Sequence, residues 1–205
     1  MTIKALILDV DGVLTQPLAF AKYLEKHHPE LAAQTGEFFR GIFGECIVGK
    51  ADLREVLPPY LEKWGWDSTL DDYINQWFET EKPVDDRLLT IIKTIRENGT
   101  PCYVATNQEK YRLGYMRSEM GFNTCFDGVF GSSEIGYRKP NTEFYQAVMS
   151  QIDVTDEQIL FWDDTPKNVE SARRCGWQAE HYTTFVDFKA WLRQSEQFRG
   201  LLNHE

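Results

Sequence analysis

Cysteine is scarce and scattered in this chain. Cys46, Cys102, Cys125 and Cys175 lie far apart and form no Cys-x-x-Cys pair, so neither a zinc cluster nor a disulfide framework is indicated, and a reducing cytoplasm fits best. Positive charge is also short: 22 Lys and Arg stand against 32 Asp and Glu, a formal net charge of −10. That balance argues against nucleic acid or an anionic membrane as partner. An anionic ligand would need a local attractor, either a cation or a few lysines. No apolar stretch approaches membrane-spanning length, and the first strand-like run begins almost at the amino terminus, with no charged leader or signal-like segment. Internal repeats and low-complexity tracts are missing too. What remains is 205 residues of ordinary composition, 42% hydrophobic and 26% charged, enough for one full domain plus a sizeable insertion. A cytoplasmic monomer or weak homodimer is expected.

The first stretch with chemical content is Asp9-Val10-Asp11-Gly12-Val13, which directly follows the apolar run Ala5-Leu6-Ile7-Leu8. A buried strand would deliver both carboxylates to its own C-terminal edge. Residues two apart on a strand share a face, so Asp9 and Asp11 are expected to point the same way, with Gly12 allowing a sharp turn. Carboxylates held together repel, and a hard divalent cation with oxygen ligands is the usual compensation. The duller explanation is a strand ending in an acidic turn.

From Thr15 to about Lys82 the texture changes. Aromatic residues recur at helical spacing, and 52–57 and 70–78 each carry the one-face periodicity of an amphipathic helix. Gly41, Gly44 and Gly49 predict a turn or loop between them. This segment reads as a small helical bundle inserted into something else. After Pro83, helix and strand alternate: helices over 84–97 and 108–120, strands over 102–105, 128–130, 159–162 and about 179–182, a helix opened by Pro166, and a last helix over 185–194. Such alternation implies parallel strands joined by right-handed crossovers. The expected fold is therefore α/β, a parallel sheet flanked by helices, with residues 1–14 and 84–205 as the core and 15–83 as a helical insertion.

Ligands of open parallel sheets bind beyond the carboxyl ends of the strands. Three strand ends here carry polar residues, Asp9/Asp11, Thr106/Asn107 and Asp163/Asp164, and the loop holding Lys139 can reach the same edge. Singly, Thr106-Asn107 and Asp163-Asp164 read as helix caps and Lys139 as a solvated lysine. Jointly they place two carboxylate sites, a hydroxyl and one lysine at one edge, which independent caps need not do.

In that order, Asp-x-Asp-Gly-Val, Thr-Asn, Arg-Lys-Pro and Asp-Asp resemble the four motifs of the haloacid dehalogenase superfamily, over the whole chain and with a helical cap after the first motif. The stretches 137–141 and 161–169 look most like the subgroup of the epoxide hydrolase phosphatase domain and bacterial sugar-phosphate phosphatases. The resemblance implies a Rossmann-like core and a magnesium-dependent phosphatase acting on a small phosphorylated metabolite. It makes Asp9 the nucleophile that forms an aspartyl-phosphate, and Asp11 the general acid and then base. Magnesium would be held by Asp9, the Asp11 carbonyl and Asp164, with Asp163 behind it or sharing the role. Thr106 and the Asn107 amide would grip the phosphoryl group near a helix N-terminus, and Lys139 would neutralise charge between Asp9 and phosphate. Three alternatives stay open: a phosphomutase of the β-phosphoglucomutase type, a catalytically silent binding protein of the same fold, and a metal-independent dehalogenase, in which Asp11 and the Asp163/Asp164 pair would have no task. For substrate recognition by the cap, Arg40, Glu45, Lys50 and Trp77 are polar or aromatic enough to face the site, and the segment from Arg40 to Lys50 is the expected reach to the leaving group.

Overall fold

The computed structural model describes residues 2–202. Five strands, β1 (Ala5–Leu8), β2 (Cys102–Thr106), β3 (Gly128–Gly131), β4 (Ile159–Asp163) and β5 (Gln178–His181), form one all-parallel sheet in the order β3-β2-β1-β4-β5. Near-continuous apolar sequences such as Ala-Leu-Ile-Leu and Ile-Leu-Phe-Trp suit strands covered on both faces. Side chains alternate as expected: Leu6, Leu8 and Val10 join one core, Ala5 and Ile7 the other. Strand β1 is central, and Leu8 lies level with Val104 on β2 and Trp162 on β4. The C-terminal ends of three strands therefore open on one edge.

Between β1 and Val84 the chain makes six helices: α1 (Ala19–His27), α2 (Pro29–Arg40), α3 (Phe43–Ile47), α4 (Leu53–Val56), α5 (Pro58–Lys63) and α6 (Leu70–Thr80). They bury a hydrophobic cluster of their own, including Phe20, Leu24, Phe38, Trp64, Tyr73 and Trp77. Thr69 and Asp72 start α6 with a reciprocal capping box. The glycine-flanked middle differs from the expected loop, because Gly44 lies inside the short helix α3. Contact with the core holds that helix in place: Ser132 donates to the Ile47 carbonyl at 2.6 Å. At Gly49 (φ +70°), a Cβ would lie 2.3 Å from the Ser133 carbonyl.

The remaining helices are α7 (Asp86–Glu97), α8 (Lys110–Ser118), α9 (Phe122–Cys125), α10 (Ser132–Ile135), α11 (Thr142–Met149), α12 (Pro166–Arg174) and α13 (Phe185–Gln194). Helices α7, α8, α9 and α13 pack on one face of the sheet, α11 and α12 on the other. Two begin later than periodicity predicts. Val84 pairs with Thr15 and Asp85 caps α7, while the Glu109 side chain accepts from the N–H groups of Tyr111 and Arg112 to cap α8. Both outgoing and returning connections of the insertion are thus joined, since the Asp85 N–H also donates to the Leu14 carbonyl at 2.9 Å.

Arg112, on α8 and fully buried, donates to the carbonyls of Phe78 and Glu81, both at 2.9 Å. Helix C-termini leave carbonyls without internal partners and favour a nearby cation, so one core side chain satisfies the end of α6. Arg112→Met is expected to lower stability by about 2–4 kcal/mol, measured as the urea midpoint at unchanged slope. An unchanged midpoint would show that water replaces the guanidinium without loss.

Candidate active site

Chain order runs β1-β2-β3 to one side of the sheet and β4-β5 to the other, which opens a crevice where the connections part. Asp9 stands one residue beyond β1 and continues the ladder, its N–H donating to the Trp162 carbonyl at 2.9 Å. Asp163 ends β4, Asp164 follows it, and Thr106 ends β2. Lys139 arrives on the loop before α11, which the Asn107 side chain fixes twice: its amide donates to the Lys139 carbonyl at 3.0 Å, and its oxygen accepts from the Lys139 N–H at 2.9 Å.

The Lys139 ammonium, with no side-chain exposure, lies 2.8 Å from Asp9 and 2.6 Å from Asp163. Burial opposes its charge, but the two carboxylates outweigh that and raise its pKa. Asp9 has the converse problem. Burial pushes its carboxyl up to about 8 although Lys139 is adjacent, and Asp163 and Asp11 push the same way. The oxygens of Asp163 are fully engaged, by Lys139, by the Thr165 N–H at 2.8 Å and by the Asn168 amide at 3.0 Å to each. Asp164 is half-buried, and among the described residues its carboxylate accepts only from the Thr165 hydroxyl, at 3.2 Å; burial, then Asp163, raises its pKa. Carboxylate oxygens of Asp9, Asp163 and Asp164 lie within 4.8 Å of one another.

Asp11 belongs to a different set of contacts. Its carboxylate accepts from the Gln108 amide at 2.6 Å and the Thr15 hydroxyl at 3.3 Å. Among the described residues the Thr106 hydroxyl and the N–H groups of Asn107 and Asp11 have no hydrogen-bond partner. The start of α8 is not open to an anion, because Glu109 already occupies its first N–H groups. That corrects the expected helix-terminus contribution.

Three orienting residues escaped the sequence reading: Gln108, Thr15 and Asn168. Gln108 and Thr15 stand one and four positions from residues already singled out, but nothing in their type distinguishes them from surface polar residues. Glu81 is a fourth omission. It borders the site, accepts from the Trp77 indole at 2.9 Å, and is pushed up to about 7 by burial and Asp11, with Arg112 opposing. Arg40 and Lys50 require a correction, since both are exposed and neither lines the site. The Arg40 guanidinium folds back over Gly36 on its own helix, and pinning α3 to Ser132 turns Phe43 and Ile47 inward instead. Glu45 is likewise exposed, whereas Trp77 is buried and faces the site.

Two adjoining cavities meet here. One, of 410 Å³, is bounded by Asp9, Asp11, Thr106, Asn107 and Asp164. The other, of 350 Å³, runs into the helical insertion, and Asp11, Leu18, Glu81 and Asn107 border both. A carboxylate beside a lysine, a second acid held apart from that pair, free N–H donors and an oxygen-rich rim can together support attack on an electrophile bearing anionic oxygens.

Residues 3–176 match the family model described as haloacid dehalogenase-like hydrolase. A sesquiterpene phosphatase from Aspergillus oryzae is 33% identical over 111 residues, 54% of this chain and 56% of that protein's length. A phosphorylated carbohydrates phosphatase from Thermotoga maritima is 24% identical over 182 residues, 84% of this chain and 82% of that protein. The fold is shared with a haloacid dehalogenase family enzyme from Bacteroides thetaiotaomicron crystallised as its magnesium complex, with TM-score 0.79 and 19% identity over 94% of this chain and 100% of that one.

Gly12 offers a direct test of the geometry. Its φ is +84°, and a Cβ there would lie 2.0 Å from Asp164 Oδ2. Gly12→Ala is expected to cost about 1–3 kcal/mol and to swing the Asp164 carboxylate away, weakening divalent-cation binding in calorimetry. Unaltered cation affinity would mean that Asp164 has room to stay where it is.

Proposed function

The chain belongs to the haloacid dehalogenase-like hydrolases, and from that premise we propose a magnesium-dependent phosphatase that hydrolyses a small phosphate monoester through an aspartyl-phosphate. The observation that carries the reading is the separation of the two first-motif carboxylates. Asp9 shares Lys139 with Asp163, whereas Asp11 is held outside that ion pair by Gln108 and Thr15. A nucleophile and an acid–base need such different surroundings. A dehalogenase would leave Asp11 and Asp164 without a task. Relatives named as phosphatases support the reaction class.

The donor set fits a magnesium ion. It is all oxygen, among the described residues a single lysine faces three clustered carboxylates, and burial drives Asp9 towards its neutral form even with Lys139 beside it. Asp9, Asp164 and the Asp11 carbonyl would hold the ion, with Asp163 positioning Lys139 behind them. Bound there, the ion supplies charge neutralisation for the phosphoryl oxygens. Thr106 and the Asn107 and Asp11 N–H groups bind and orient those oxygens. The Asp9 carboxylate then attacks phosphorus while Asp11 delivers its proton to the departing alkoxide. Asp11 next removes a proton from water, whose oxygen attacks phosphorus and breaks the bond to Asp9. Positioning and electrostatic stabilisation carry most of this chemistry. Helices α1–α6 act as the cap that excludes bulk water.

Asp9→Asn keeps the shape and removes the attacking anion, so phosphate release from an aryl phosphate should fall to background; appreciable turnover would refute Asp9 as nucleophile. Asp11→Asn should slow turnover by roughly 10²–10⁴ yet still bind magnesium through its unchanged carbonyl, which separates proton transfer from metal binding.

Magnesium binding should also expel the proton that burial keeps on Asp9. Burial raises the carboxyl's pKa to about 8, and the ion takes the ionised form. Affinity should therefore rise about tenfold per pH unit until that value and then level. Calorimetry in buffers of different ionisation enthalpy should show near one proton released at neutral pH. Buffer-independent heats would mean that Asp9 is already ionised before the ion arrives.

A further inference from the structure

The 350 Å³ cavity differs in kind from the 410 Å³ one beside it. Its walls are Phe20, Leu24, Phe39, Phe43, Ile47 and Trp77, contributed by α1, α2, α3 and α6. Polar residues occur mainly at the end shared with the site, where Asp11, Glu81 and Asn107 border both spaces and Gln108 is bonded to Asp11. Deeper in, the potential donors are engaged already: the Trp77 indole with Glu81, and the Thr35 hydroxyl with the Ala32 carbonyl at 2.9 Å. Among the described residues no lysine or arginine lines the chamber. Its aromatic wall is braced internally, with Phe20, Phe39 and Phe43 ring centroids 5.7, 5.4 and 5.5 Å from that of Trp77. The volume falls within the range of about 300–1,000 Å³ usual for small-molecule sites.

Beyond the end shared with the site, a polyhydroxylated leaving group meets mostly apolar wall, and a buried hydroxyl without a partner is unfavourable. An apolar one gains by leaving water. Resting on the phosphatase reading above, we propose that the physiological substrate is the phosphate monoester of a hydrocarbon alcohol, with the hydrocarbon housed in this chamber and Leu18 at the junction with the phosphate. The cap thereby selects by hydrophobic burial, not by hydrogen bonding to sugar hydroxyls.

Two measurements test this and keep it separable from the reaction itself. The first is kcat/KM for primary n-alkyl phosphates from ethyl to octyl, beside a hexose 6-phosphate. Rates should climb by about fourfold per methylene until the chamber is full, and the hexose phosphate should trail hexyl phosphate by roughly a hundredfold or more. A flat alkyl series, or a hexose phosphate that equals or exceeds hexyl phosphate, overturns the assignment. The second is calorimetric binding of the matching alkyl phosphonates, which lack the scissile P–O bond. Kd should fall with chain length and ΔCp become more negative. If phosphonates show that trend while no monoester is hydrolysed, the phosphatase reading falls and the chamber assignment stands. Hydrolysis of sugar phosphates with no gain along the alkyl series does the reverse. Phe39→Ala, which enlarges the chamber without adding a polar group, should shift the optimum to a longer or bulkier chain; an identical optimum counts against the chamber.

Discussion

A lysine with no access to solvent sits between two carboxylates, and much of the site is arranged around keeping it there. Lys139 reaches Asp9 at 2.8 Å and Asp163 at 2.6 Å. Removing one member of such a buried set strands the others, typically at about 3–5 kcal/mol. Asn168 and the Thr165 N–H hold Asp163, and Asn107 holds the Lys139 backbone from both sides. The triad therefore ties the ends of β1, β2 and β4 and the 137–140 loop into one polar unit. It also leaves a surplus of negative charge, since Asp164 and Asp11 stand nearby without a lysine of their own.

That surplus explains how a chain of net charge −10 could still receive an anion. Long-range attraction is unfavourable, so the pull has to be local, from an oxygen-bound cation and from backbone donors aimed into a small space. With Glu109 closing the start of α8, the protein donors that border the space and would serve are the Thr106 hydroxyl and the N–H groups of Asn107 and Asp11. Each depends on the strand ends staying in register.

The strand ends were legible in the sequence because parallel strands write themselves as short apolar runs, and here the runs of β1, β2 and β4 stop at polar residues that also border the crevice. The five-stranded parallel fold followed from the same alternation. What escaped was tertiary. Gln108 and Thr15 orient Asp11 from positions whose type says nothing, and Glu109 rather than Thr106 or Asn107 caps the next helix. In the insertion, amphipathic periodicity found the helices 53–56 and 70–80 but could not tell a residue facing the hydrophobic cluster from one facing a chamber, because both are apolar. Reaching for charged residues led instead to Arg40 and Lys50, which lie on the surface. Their place is taken by Phe43 and Ile47, turned inward by a hydrogen bond from Ser132 that spans 85 residues of sequence.

The pairing of Thr15 with Val84 has a consequence for how such a chain can change over time. Nearly seventy residues leave the sheet and return at two points that are already hydrogen-bonded neighbours. Loop closure depends only weakly on loop length, so β1 and α7 experience almost the same constraint whatever the intervening segment contains. The insertion is in effect a replaceable cartridge. Its helices can be lengthened, trimmed or exchanged, and the enclosed volume reshaped, while the strand ends that carry the polar unit keep their spacing. Arg112 is one point at which that freedom ends, because a replacement must again present carbonyl oxygens to its guanidinium; Ser132, which donates to the Ile47 carbonyl, is another.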